Sequence, residues 1–197
     1  MLHVLVFVSG LTVLGCELTA SRLLAPYFGT SLFIWANVIG LILLYLTGGY
    51  WIGGRLSDRI PIRAALYHTC AFAAIFIGLV PYMARPILWF SSYGFASVSL
   101  GIFWGSLLGV VGLFLIPLTL LGCVSPWSVR LAVTDLAGAG RAAGSLYALS
   151  TLGSLAGAYL PVLLLVPTVG TDRTFTVLAV TLLVTCIVGL EIGRAHV

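Results

Sequence analysis

The sequence predicts an all-α protein, a polytopic bundle of membrane-spanning helices, and three observations carry that prediction. Hydrophobic residues make up 61% of the chain and charged residues 7%, against roughly 25% charged in a soluble domain. Mean hydropathy is +1.20. The apolar residues gather into long runs with short polar connections, and 197 residues leave room for about six spans of roughly 20 residues each. Residues 1–197 therefore read as a single six-helix transmembrane domain, with little left over for a soluble one.

The first span runs from Leu2 to Leu24; it lacks the basic flank of a cleaved signal peptide and continues through Glu17, Thr19 and Ser21, so it is expected to remain as a helix. Pro26, Gly29 and Thr30 break the pattern, and Ser31 stands as N-cap of a second span that reaches Gly53. Pro61 suits the first turn of a third span, which is expected to close near Tyr82 between Pro81 and Pro86. Ile87 to Ser99 places Trp89, Phe90, Tyr93 and Phe95 among serines and reads as an interfacial segment. A fourth span extends from Leu100 to Val124, interrupted by Pro117, and Ser125 to Gly144 forms the longest polar connector. The fifth span runs from Ser145 to Val166, and after a turn over Pro167 to Asp172 a sixth runs from Arg173 to Ile192.

The formal charge is +4, and all nine basic residues are arginines spread singly except around Arg55, Arg59 and Arg63. Without a basic patch on a solvated face, a nucleic-acid partner is not expected; the lipid bilayer is. Arg55, Arg59, Arg63, Arg130, Arg141 and Arg194 fall on one set of alternate connectors, and Arg22, Arg85 and Arg173 on the other. The positive-inside rule then puts both termini in the cytoplasm, with the protein in the cytoplasmic (inner) membrane. Cys16, Cys70, Cys123 and Cys186 lie far apart inside apolar runs, with no CxxC pair and no Cys/His spacing suited to zinc, so neither metal nor cofactor is expected. No GxSxG, HExxH or P-loop occurs, no catalytic residue can be assigned, and the chain is not expected to be an enzyme by itself.

Glu17 is the acid placed well inside a span, where an ionised carboxylate costs at least about 2.5–3.5 kcal/mol unless it finds a partner or water. It reads either as a substrate-binding group or as a neutral acid hydrogen-bonded to a neighbouring helix; on its own helix only Ser21 offers a polar neighbour on the same face. If the first two spans form a hairpin, Trp35 and Asn37 approach it, and an aromatic ring beside a carboxylate suits an organic cation. The alternatives are that Trp35 belongs to the interfacial aromatic belt and that Asn37 bonds across helices. Tyr147, Ser150, Thr151 and Ser154 share one face of the fifth span, either lining a wet cavity, with Tyr147 as a further substrate contact, or bonding between helices. Gly49-xxx-Gly53 and Gly153-xxx-Gly157 mark packing seams or a dimer interface. His68, inside the third span, reads as a satisfied polar contact or as a proton carrier.

Gly54-Arg55-Leu56-Ser57-Asp58-Arg59, with Arg63 following, resembles the signature between the second and third helices of major facilitator superfamily transporters; Pro61 and Ile62 stand where that signature has glycine and a basic residue. Glu17 to Ser31, Trp35 to Gly40, Gly49 to Gly54 and Leu146 to Ser154 resemble the membrane domain of the fused MFS/spermidine synthases over nearly the whole chain. The resemblance implies six helices forming half of a transporter, without the soluble aminopropyltransferase domain. It implies a gate of Gly54, Asp58, Arg59 and Arg63 in which Asp58 caps a helix and pairs with an arginine, here Arg130, at the end of the fourth helix. The expected function is transport or binding of a small cationic, polyamine-like solute by alternating access as a homodimer. The alternative is a membrane module that anchors or feeds a soluble aminopropyltransferase-like partner.

Overall fold

Long uninterrupted apolar runs, with every backbone amide paired inside its own segment, are what a chain in lipid requires, and helices meet that demand. The computed structural model describes residues 1–94, 101–133 and 138–195. It contains α1 (Leu2–Phe28), α2 (Leu32–Arg59), α3 (Arg63–Gly94), α4 (Gly101–Gly122), α5 (Val124–Ala132), α6 (Ala139–Leu160), a π-helical turn (Pro161–Leu165), α7 (Val166–Val169) and α8 (Thr171–Ala195). Among the described residues there is no strand, and 6 helical segments are long and apolar enough to cross a membrane. The fourth span is α4 with α5, the fifth α6 through α7.

Several boundaries differ from those expected, each for a local reason. The first span passes through Pro26 and stops at Phe28, where Gly29 takes φ 83, a backbone conformation that favours glycine, and its amide bonds the Ala25 carbonyl at 2.9 Å. Ser31 does sit at the N-cap of α2 in extended geometry, but its side chain makes no cap bond. The same helix runs on to Arg59, so residues 54–59 are its last turns and not a loop, and only residues 60–62 connect it to α3.

The third span does not close at Tyr82. Pro81 and Pro86 each remove one rung, yet α3 continues to Gly94 because the segment beyond them packs on α4: Leu88 is fully buried, and the Ser91 carbonyl lies 2.9 Å from where a Gly105 Cβ would stand. Trp89, Phe90 and Tyr93 are exposed on this extension, while Phe95, Ser99 and Leu100 lie outside the described residues. The polar connector expected from Ser125 to Gly144 is largely helical. Pro126 falls in the first turn of α5, where its missing amide costs nothing, and α6 already begins at Ala139; Asp135 is outside the described residues.

The spans pair in a pattern that survives exchanging the first three for the last three. α1 lies along α6 as α4 lies along α2, α3 meets α4 as α8 meets α1, and α3 with α8 maps onto itself. This is the signature of two three-helix repeats of inverted topology. The two glycine pairs occupy equivalent seams. A Cβ at Gly153 or Gly157 would overlap the Phe7 or Leu11 carbonyl of α1, and one at Gly49 or Gly53 would overlap the Thr119 carbonyl or the Cys123 backbone on the fourth span. Lipid tails are as apolar as leucine, so such close approach, and not removal from water, holds the helices together. Leu5, Leu24, Ile42, Leu66, Phe114, Trp127 and Phe175 fill the centre, and all four cysteines are free and buried.

Candidate functional site

Because α1 and α2 are antiparallel and α1 extends to Phe28, the residues of α2 level with Glu17 are Leu43 and Leu46. Glu17 is half-buried and lines a cavity of about 180 Å³ with these two leucines, Ser9 of α1, Tyr50 of α2, Ser125 of α5, and Ser150 and Ser154 of α6. A second cleft of about 470 Å³ is lined by Tyr50, Ser125, Pro126, Tyr147, Ser150, Thr151 and Ser154. Tyr50, Ser125, Ser150 and Ser154 belong to both walls, so the two form one depression that runs along α6 from Glu17 to Tyr147.

Several lining hydroxyls are already engaged with backbone. Ser9 Oγ donates to the Val6 carbonyl at 2.9 Å, Thr151 Oγ1 to the Tyr147 carbonyl at 2.8 Å, and Ser154 Oγ across to the Gly10 carbonyl at 3.3 Å. Ser21, the expected intrahelical neighbour of Glu17, instead donates to the Leu18 carbonyl at 2.8 Å. Among the described residues the Glu17 carboxylate has no hydrogen bond and no ion pair, and the Ser125 and Ser150 side chains have no protein partner; the one ion pair within 4 Å is Asp58 with Arg130. A carboxylate that shares its cavity with serine hydroxyls and Tyr50, and opens toward Tyr147, accepts donors or cations from whatever enters.

The structure does not bring Trp35 or Asn37 to this cavity. Asn37 is 6% exposed and its Nδ2 donates to the Phe103 carbonyl at 2.9 Å and to Ser106 Oγ at 2.8 Å, a clamp between α2 and α4. It precedes Leu43 on α2 by roughly 9 Å at 1.5 Å rise per residue. A first helix ending at Leu24, as expected, would have set it level with Glu17; its continuation to Phe28 moves Asn37 toward the end of the bundle. Trp35 is half-exposed in the first turn of α2. Tyr147 does line the cleft, and so do Tyr50 and Ser125, which the sequence reading did not select: Tyr50 lies a heptad from Leu43 on the same face, and that spacing was its available signal.

At the end of the bundle where α2 finishes, Arg130 Nε lies 3.6 Å from Asp58 Oδ1, with the side chains 51% and 74% exposed. Arg55 stacks over Trp51 at 3.5 Å from the ring centroid, Arg59 and Arg63 are exposed, and nothing crowds Gly54. His68 is exposed, and its Nδ1 bonds the Ala64 carbonyl of its own helix at 2.7 Å. Among the described residues no group of three or more His, Cys, Asp or Glu side chains comes together as a metal site. Comparisons with protein-family models, with curated proteins and with solved structures found no match.

Proposed function

We propose that this integral membrane protein is a transporter-like carrier that binds a small organic cation at Glu17 and passes it along the hydroxyl-lined cleft beside α6. The observation that carries this reading is a carboxylate without a protein partner, at the midpoint of a membrane span, opening into a depression edged by Tyr50 and Tyr147. Ionised in lipid such a group is costly, and a bound cation offsets that cost while tyrosine faces add cation–π attraction. The cleft of about 470 Å³ lies in the range of small-molecule sites, and the narrower cavity of about 180 Å³ continues it toward Glu17, a shape that suits an extended amine such as a polyamine.

The cleft lies open between α2 and α6, and polar groups inside a membrane face protein or water, not lipid tails. A second copy laid across it supplies the missing wall, so the working unit is a homodimer of six-helix halves, as the resemblance to half of a major facilitator superfamily carrier implies. The Asp58–Arg130 pair ties the end of α2 to the end of α5 and acts as the restraint on one gate conformation. A second reading has Arg59 and Arg63, both exposed and, among the described residues, without an ion pair, in its favour: a docking face for a soluble aminopropyltransferase-like partner. Uptake of radiolabelled putrescine and spermidine into proteoliposomes tests the leading one. Glu17→Gln is expected to abolish uptake, and undiminished uptake by that variant removes Glu17 from the mechanism. Charge reversal at Arg59 and Arg63 that strips off a co-purifying soluble protein would favour the second.

A further inference from the structure

At the opposite end of the bundle from Asp58, α3 and the start of α8 flank a separate, open cleft of about 410 Å³ lined by Pro81 and the exposed Tyr82, Arg85, Asp172, Arg173 and Thr176. Two helices thus each contribute a guanidinium to one cavity, and Asp172 is the carboxylate facing them. Guanidinium stays charged at any physiological pH, so the cleft carries a surplus positive charge. Among the described residues none of these three charged groups has an ion-pair partner within 4 Å; they line the same space without neutralising one another. Thr176 Oγ1 is spent on the Asp172 carbonyl at 3.3 Å.

The location narrows the ligand. The cleft lies where the apolar part of α8 begins and about 33 Å along α3 from Arg63 at 1.5 Å per residue, which is the depth of lipid headgroups when the hydrocarbon core is about 30 Å thick. Tyr82 is 77% exposed beside it, and Trp89 and Phe90 are exposed further along the same helix, as in an interfacial aromatic belt. Two arginines suit one phosphodiester, through charge-assisted and bidentate hydrogen bonds. A free phosphate or an anionic lipid would satisfy them and leave Asp172 repelled. A quaternary ammonium would reach Asp172 without an N–H to donate. We infer that this cleft holds the headgroup of a phosphatidylethanolamine, its phosphate on Arg85 and Arg173 and its primary ammonium on Asp172. The inference is independent of the carrier reading, since no residue is shared with the Glu17 depression.

Native mass spectrometry of the detergent-purified protein, titrated with phosphatidylethanolamine, phosphatidylcholine and phosphatidylglycerol of identical acyl chains, tests it. Phosphatidylethanolamine is expected to bind about tenfold tighter than phosphatidylcholine, the size of one charge-assisted contact. The double variant Arg85→Ala/Arg173→Ala should weaken it at least tenfold. Asp172→Asn, a nearly isosteric change that leaves the fold intact, should bring phosphatidylethanolamine down to the level of phosphatidylcholine without altering the latter. Equal binding of the two lipids by the unaltered protein, retention of the preference in Asp172→Asn, or tighter binding of phosphatidylglycerol would each overturn the inference. So would displacement of the lipid by millimolar inorganic phosphate, which would mark a site for soluble anions.

Discussion

Neutralising Glu17 while keeping its shape asks whether its charge or its volume matters. Glu17→Gln is expected to fold as well as the parent or better, because the carboxylate has no protein partner to lose, while abolishing cation uptake; a loss of both together would point to a structural role. Asn37 sets the opposite case. Asn37→Ala removes the bonds to Phe103 and Ser106, and is expected to lower stability by roughly 0.5–2 kcal/mol in a denaturation titration with uptake per folded protein unchanged. Reduced uptake at full folding would return Asn37 to the binding site. Both residues were recognisable in the sequence as polar groups in apolar surroundings. What separates them is the hairpin register, and that depends on α1 continuing to Phe28 instead of ending at Leu24, with Pro26 inside the helix and not beyond it. Tyr147 was legible because its stripe repeats at helical spacing; Ser125 was not, because it reads as the start of a polar connector, whereas the chain continues there as the helix α5.

Between helices, the glycines give the sharpest contrast. Gly49 and Gly153 each stand where a Cβ would overlap the backbone of another span, so Gly49→Leu or Gly153→Leu is expected to cost at least about 1–3 kcal/mol and to lower the thermal midpoint. Gly54 has nothing within 4 Å of an added Cβ and lies inside α2, so Gly54→Ala is expected to raise stability by up to about 1 kcal/mol through helix propensity alone. If Gly54→Ala folds more stably yet lowers uptake, the glycine is needed in another conformation, which is what a gate would demand. The spans themselves were legible from apolar length, since a bilayer sets one number that every helix must meet. Their ends were harder to read, because proline was taken as a terminator. Pro81 and Pro86 each cost one rung inside α3, whose other contacts persist, so packing against α4 outweighs the local preference.

At the scale of the whole molecule, the inverted pairing of helices leaves α2 and α6 flanking an open, hydroxyl-lined depression, and the question is what covers it. The Asp58–Arg130 pair is exposed and worth about 0–1 kcal/mol, so it ties the end of α2 to α5 without locking the two together. Asp58→Arg should therefore leave folding intact while changing how readily the cleft opens, and Asp58→Arg with Arg130→Asp should restore the original behaviour. A chemical reporter is at hand because the four native cysteines are buried, so a single introduced thiol reacts alone. Thr151→Cys places that thiol on the exposed wall of the cleft, and Ile75→Cys places one on α3, exposed but away from it. If two copies close the depression, mild oxidation in proteoliposomes should join Thr151→Cys chains as disulfide dimers and leave Ile75→Cys chains monomeric. Adding Asp58→Arg should change the rate at which a water-soluble maleimide reaches Thr151→Cys, and restoring the pair in swapped order should return it. Equal crosslinking at the two positions would mean that nothing pairs across the cleft, and the protein would then have to work as a single six-helix unit with its polar face covered by something other than itself.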